Sequence, residues 1–445
     1  MKRLITHVAA CSLVMLASCA PQTETENAPS ENADLTVAMI GDFKMQDTTD
    51  PITGQKATGF HAAKAEFERL HPGVTIEFIM MPWSNYVANT QAMIAGSQAD
   101  VYQMPGVNDF AAQGLVEPLE PFIEEDDDFD LGVYNDNLVE GWKVFGPDDD
   151  TPQIYSLPVL GDGRFIQYDK LLFEQWGVEP LSDYPTVEEV IDKAKQMTGE
   201  NPVTGEQNYG IYFPGTNDTA LTLANLMEGF GGEWGTGQRW EDIELHFDSP
   251  EMKQALKAMV ELADYMPKSF INGQGNERWL TPSNNIAIGI NQGNGNLKTI
   301  YAQSLQDRFP IVQNFKNENG VGGMFSGSPL AIGKTSKNKD LAWEFIKFSA
   351  SEYFQRFLWE EWGATPVIKQ AAEWESIQEM ELMEPVLEAM TNAVTPRYPW
   401  ASSQPRYILQ AKTEGALTGT MSVEQALEEA QQESMEWIEV GRVGM

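Results

Sequence analysis

Cysteine is almost missing from this chain: 445 residues hold two, Cys11 and Cys19. Both lie near the N-terminus, so the long remainder can form neither a disulfide of its own nor a thiolate metal site. Histidine is nearly as scarce. The four are His7, His61, His71 and His246; no two have zinc-ligand spacing, and no H-E-x-x-H occurs. There is no G-x-S-x-G elbow and no G-x-x-x-x-G-K-[ST] phosphate loop. No cofactor is therefore expected. Basic residues number 29 against 66 acidic ones, a formal net charge of −37. That excludes the basic patches that nucleic-acid binding requires. No apolar run reaches the roughly 20 residues that span a bilayer.

What is present starts at the N-terminus. Met1-Lys2-Arg3 is short and basic, Leu4 to Leu16 is mostly apolar, and Leu16-Ala17-Ser18-Cys19 resembles the bacterial lipobox. The expectation is a signal peptide over residues 1–18, a lipid on Cys19, and export to the extracytoplasmic face of a bacterial membrane. Residues 19–33 are polar, acidic and Pro-containing, the composition of a disordered tether. The acid spread along the rest reads as a solubilising surface suited to high salt.

From Leu35 the pattern is that of an α/β protein. Leu35–Ile40, Val74–Ile79 and Ala99–Gln103 read as strands, with helices over Phe60–Leu70 and Tyr86–Ile94 between them. This alternation predicts parallel βαβ units, whose ligands sit beyond the carboxyl ends of the strands. Thr186 is placed to cap a helix over Val187–Met197. Lys253–Tyr265 reads as another helix and Asn285–Ile290 and Ser328–Ile332 as strands; the last third is mainly helical. Asp126, Asp128 and Asp130 imitate a calcium loop. However, the glycine falls one place late, at Gly132, and Asn137 occupies the last ligand position. A solvated loop is the default reading there, and no metal is expected.

Several segments, in order, match one family. Ala65-Glu-Phe-Glu-Arg-Leu-His-Pro-Gly-Val74, Ile154-Tyr-Ser-Leu-Pro158 with Tyr168-Asp-Lys-Leu-Leu-Phe173, Lys334 to Phe348, and Gly419 to Gln431 resemble the extracellular solute-binding proteins of family 1. These are the maltose-binding-protein-like sugar receptors of ABC importers. The resemblance implies a two-lobed periplasmic-binding-protein fold (type II), with the ligand cleft between lobes joined by a multi-segment hinge. Mapped onto this chain, one lobe holds residues 34–155 and 309–350, and the other 156–308 and 351–445. It further implies a monomer that captures a carbohydrate and docks on ABC permease subunits, without catalysis.

Sugars require flat apolar rings beneath their C–H faces and planar polar groups for their hydroxyls. At strand ends and in predicted loops stand Asp42, Trp83, Gln103, Asn108 and Trp234. Asp162 and Arg164 follow the expected hinge segment. By the resemblance, Asn291 and Gln292 occupy a cleft motif that lacks its usual Trp, Phe325 lies in a glycine-rich cleft segment, and Trp362, Trp400 and Arg406 border the cleft. Trp343, Trp374 and Trp437 fall in helical patterns and read as packing residues. A polyamine held by Asp42, Asp162 and Trp83, a glycerol phosphate held by Arg164 and Arg406, and a two-carboxylate glycosidase stand as alternatives.

Overall fold

A computed structural model of the chain describes residues 34–444, apart from 50–53, 55, 85, 215–217, 271–273, 318–319, 322–323 and 393–400. The expected signal peptide, Cys19, the tether and Trp400 lie outside the described residues.

The main strands are β1 (Leu35–Ile40), β2 (Ile76–Met81), β3 (Val101–Gln103), β4 (Asp162–Tyr168), β5 (Gly199–Glu200), β6 (Gln207–Tyr212), β7 (Ile286–Gly293), β8 (Ile311–Val312), β9 (Phe325–Ser326) and β10 (Leu330–Ile332). They form two separate sheets. The first runs β10-β3-β1-β2; the second runs β8-β4-β7-β6-β5, with β9 pairing the start of β4. In the first, β1 is parallel to both β2 and β3, and β10 is antiparallel to β3. All six residues of β1 are buried, five of them apolar with Thr36 among them, as a parallel sheet covered on both faces requires. Leu35, Val37 and Met39 enter one core, and Ala38 and Ile40 enter another on the opposite face. A third core packs the second sheet.

Helices α1 (His61–Leu70), α2 (Tyr86–Ala95) and α3 (Val107–Ala112) accompany the first sheet. The expected cap is present at α4 (Val187–Gln196), where Thr186 Oγ1 accepts from the Glu189 N–H. Helices α5 (Thr219–Gly229), α6 (Pro250–Ala263), α7 (Lys339–Ser349), α8 (Glu352–Trp362), α9 (Gln404–Leu417) and α10 (Val423–Gly444) follow. Buried residues of α5, α6, α9 and α10 belong to the core of the second sheet.

The chain crosses between sheets side by side. Leu157 and Leu330 exchange backbone hydrogen bonds of 3.0 and 2.8 Å, and the Val159 N–H donates to the Gly327 carbonyl at 2.7 Å. Two expected borders do not match this packing. Strand β8, allotted to the first lobe, pairs with β4 in the second sheet, so the return crossing follows β9 rather than preceding Phe309. Helix α8, allotted to the second lobe, packs Phe354 and Phe357 on Phe60 at 6.3 and 5.1 Å between ring centres, in the first lobe's core. The acidic loop also has a structural use: Asp126 accepts from Trp343 Nε1 and pairs with Lys347. Among the described residues no His, Cys, Asp and Glu cluster has metal-site geometry, and no helix is long and apolar enough to cross a membrane.

Candidate functional site

A cleft of about 480 Å³ opens where six segments converge, Ser328 being one of them. From the first sheet come Gly41, Asp42 and Phe43 after β1, and Trp83 after β2. From the second come Asp162 and Arg164 at the start of β4. Asn294 and Asn296 follow β7, and the turn Trp362 to Thr365 closes one side. The topology explains the convergence. Strand β4 is antiparallel to β7, with Arg164 opposite Gly293, so the start of one strand meets the end of the other. Gly293 leaves room for the guanidinium: a Cβ there would stand 2.8 Å from Arg164 Nη1. A Cβ on Gly41 would meet the Phe43 ring at 2.5 Å.

The cleft floor is built from saturated polar groups. Gln103 Oε1 accepts from the Ile40 N–H at 2.8 Å, while its amide donates to Ser328 Oγ at 2.8 Å. Asn294 Oδ1 accepts from the Gly163 N–H at 2.8 Å, and its amide donates to the Gly161 carbonyl and to Thr365 Oγ1. Asn294 thereby ties the β4 start to the Trp362 turn. These buried amides hold the site's shape.

The walls are less saturated. Arg164 Nη1 bonds Asp162 Oδ1 at 2.8 Å. Burial pushes the Asp162 carboxyl above the usual carboxylate range, the Arg164 charge opposes this, and Asp218 adds to it. Trp362 ends α8, where Gly363 at φ +67° stops the helix. Its indole packs edge-on against Phe43 at 5.5 Å. Trp83 meets Tyr86 edge-on, also at 5.5 Å, and is 44% exposed.

Of the residues expected from the sequence, Asp42, Trp83, Asp162, Arg164 and Trp362 come together here. Arg406 lies in a neighbouring chamber that shares Trp83, with its guanidinium 4.0 Å from Asp218. The others are placed differently. Trp234 is 3% exposed and packs in the core of the second sheet, because the glycine loop folds inward. Asn291 is buried among Asn225 and Thr222, and Gln292 accepts from Trp279 Nε1. Both bond inside the lobe and stop short of the cleft. Phe325 is fully buried over Gly161 and Gly163. Gln103 is fully buried behind the cleft, where it bonds Ile40 and Ser328, and Asn108 is buried on α3. Asn294, Asn296, Ser328 and Thr365 were not foreseen; a small polar residue just after a strand end was the only signal for the first three, and Thr365, in the turn after a helix, had none.

The chain's residues 53–355 match the family model described as bacterial extracellular solute-binding protein. A mannitol-binding protein of Pseudomonas aeruginosa is 25% identical over 395 residues, 82% of this chain and 87% of that protein. A putative binding protein of Brucella abortus is 27% identical over 178 residues; the match spans 39% of this chain and only 41% of the Brucella protein. A solute-binding protein of an ABC transporter from Thermotoga lettingae, solved with α-D-tagatose bound, superposes with a TM-score of 0.72. It is 21% identical and covers 91% of this chain and 99% of its own. That likeness shows the two-lobed fold.

Proposed function

The chain belongs to the bacterial extracellular solute-binding protein family, and from that premise we propose that it captures a sugar or sugar alcohol between its lobes and delivers it to an ABC permease. The observation that carries this reading is the make-up of the cleft. Two indoles, Trp83 and Trp362, stand around one cavity with Asp42, Asn296 and the Asp162–Arg164 pair. Indole faces suit sugar C–H faces, and the planar polar groups suit vicinal hydroxyls. Arg164 is already neutralised by Asp162, so the cleft offers an anionic phosphate little free positive charge; a neutral solute fits better. Mannitol and tagatose in the relatives' names agree with this class.

Binding would draw the lobes together about the crossing segments, shifting an open–closed equilibrium by the ligand's differential affinity. The protein acts as a monomeric receptor without catalysis, held at the extracytoplasmic face of the membrane through lipid on Cys19. The test is thermal unfolding against sugars, sugar alcohols, polyamines and glycerol phosphates. A ligand at 100 times its Kd adds about 2.7 kcal/mol. A rise with a sugar or alditol is expected. Silence across all of these, or a rise with polyamine or glycerol phosphate alone, would overturn the reading.

A further inference from the structure

Beside the cleft lies a second chamber of about 560 Å³. Its walls come from both lobes: Trp83, Tyr86 and Gln113 from the side of the first sheet, and Gln404, Arg406 and Trp437 from α9 and α10. Trp83 lines this chamber and the cleft alike. Trp83 and Trp437 are 44% and 45% exposed, the only tryptophans among the large apolar side chains left open to water in the described residues. An isolated exposed apolar side chain needs no explanation. Two large rings bordering one cavity, rimmed by carboxamides, are a different arrangement. It repeats beside the cleft the chemistry of the cleft itself.

Resting on the sugar reading above, we propose that the outer chamber is a second saccharide subsite, so that the captured solute is an oligosaccharide of two or more units rather than a free monosaccharide or alditol. One unit fills the cleft against Trp362. The next passes Trp83, which serves both, and lies against Trp437. The side chains that line the chamber suit this class. Gln91, Gln113 and Gln404 are uncharged, the Asp109 carboxylate in the same wall accepts from the Ser403 N–H, and the Arg406 guanidinium lies near the Asp218 carboxylate, so hydroxyls are better partners than a net charge. Because the chamber's walls come from both lobes, a unit there also adds contacts that form only when the lobes are together. Chain length therefore converts into affinity through closure.

Calorimetric titration of the purified protein with matched series tests this: glucose, maltose and maltotriose; mannose and mannobiose; xylose and xylobiose; and mannitol. In one series the disaccharide should bind at least tenfold more tightly than its monomer. Trp437→Ala should bring that ratio toward one, and Trp437→Phe, which keeps a ring, should restore part of it. Gln404→Ala, from the same chamber, gives a second reading should Trp437→Ala fail to fold. A monosaccharide or mannitol binding as tightly as every oligomer would overturn the inference while leaving the sugar reading intact. So would a length preference that survives both Trp437→Ala and Gln404→Ala. No binding by any saccharide would overturn the sugar reading and this inference with it.

Discussion

At the scale of single residues, the tryptophans around the cleft divide by what already covers them. Trp83 is 44% exposed and meets Tyr86 edge-on, so removing its ring should cost ligand affinity far more than stability. Trp83→Ala is expected to weaken binding tenfold or more, with a melting temperature within about 2 °C of the parent, since surface substitutions usually stay within about 0.5 kcal/mol. Trp362, half-buried, packs on Phe43 and Phe60; its alanine variant should lose affinity and also about 2 kcal/mol of stability, below the roughly 3–5 kcal/mol of a fully buried ring. Asp169 makes the complementary case, far from any ligand. Its fully buried carboxylate holds Arg308 at 2.6 and 2.9 Å and Asn284 at 2.7 Å, and caps the helix beginning at Lys170. Asp169→Ala strands the Arg308 charge and should cost about 3–5 kcal/mol, read by urea denaturation. Trp437 shows why such roles are hard to read from sequence. Its helical spacing fits a packing residue, and only the neighbouring α9 reveals that it faces an open chamber.

At the scale of elements, local signals were legible and pairings were not. The run Leu35–Ile40 is a strand over the expected residues because both of its faces are buried. The second strand lies two residues later than expected, at Ile76–Met81. There the ladder continues to Met39 and Ile40, while Thr75 is engaged by Asp34. That β10 joins β3 antiparallel, or that α8 packs on α1's side of the first lobe, depends on contacts between segments hundreds of residues apart, which periodicity does not encode. The same holds for the junction of α3 and α9. Asp109 Oδ1 accepts from the Ser403 N–H at 2.7 Å, joining a helix of the first lobe to one of the second. Tyr86, Arg406 and Tyr407 line the small cavity around it. Burial pushes the Asp109 carboxyl up to about 6, with its bonds to Ser403 and Ser402 opposing. An Asp109 exposed by opening returns toward the ordinary value of 3.8. Between pH 4 and 6 the closed form then binds more protons, so closure gains as pH falls and loses that contribution as pH rises through about 6. The two-unit difference sets a ceiling of about 3 kcal/mol. Ligand affinity should be severalfold tighter at pH 5 than at pH 7.5, and Asp109→Asn should flatten the difference; an equal slope in the variant would refute the assignment.

At the scale of the whole molecule, charge dominates. Carboxylates outnumber cations so heavily that single cations are shared. Lys412 serves Glu429 and Glu433, Lys347 serves Asp126 and Glu344, and Arg356 serves Glu352 and Glu360. Such pairs on the surface are individually worth little, and even with every cation paired the −37 formal charge stays unbalanced. The folded state therefore carries repulsion that the expanded chain partly escapes. Added salt should relieve it, and the form of the response separates screening from a general salting-out effect. The Debye length falls from roughly 30 Å at 0.01 M to about 10 Å at 0.1 M and 3 Å at 1 M. A screening gain is thus concentrated at the low end and levels off as the Debye length approaches the spacing of neighbouring charges. Exclusion of a strongly hydrated salt from the surface instead continues to stabilise with concentration. Thermal unfolding in sodium chloride from 0.01 to 2 M is expected to show a melting temperature that climbs by several degrees, most steeply below about 0.3 M. A flat or falling curve in that lower range would mean that the acidic surface does not limit stability, and the adaptation to high salt inferred from composition would then lose its physical basis.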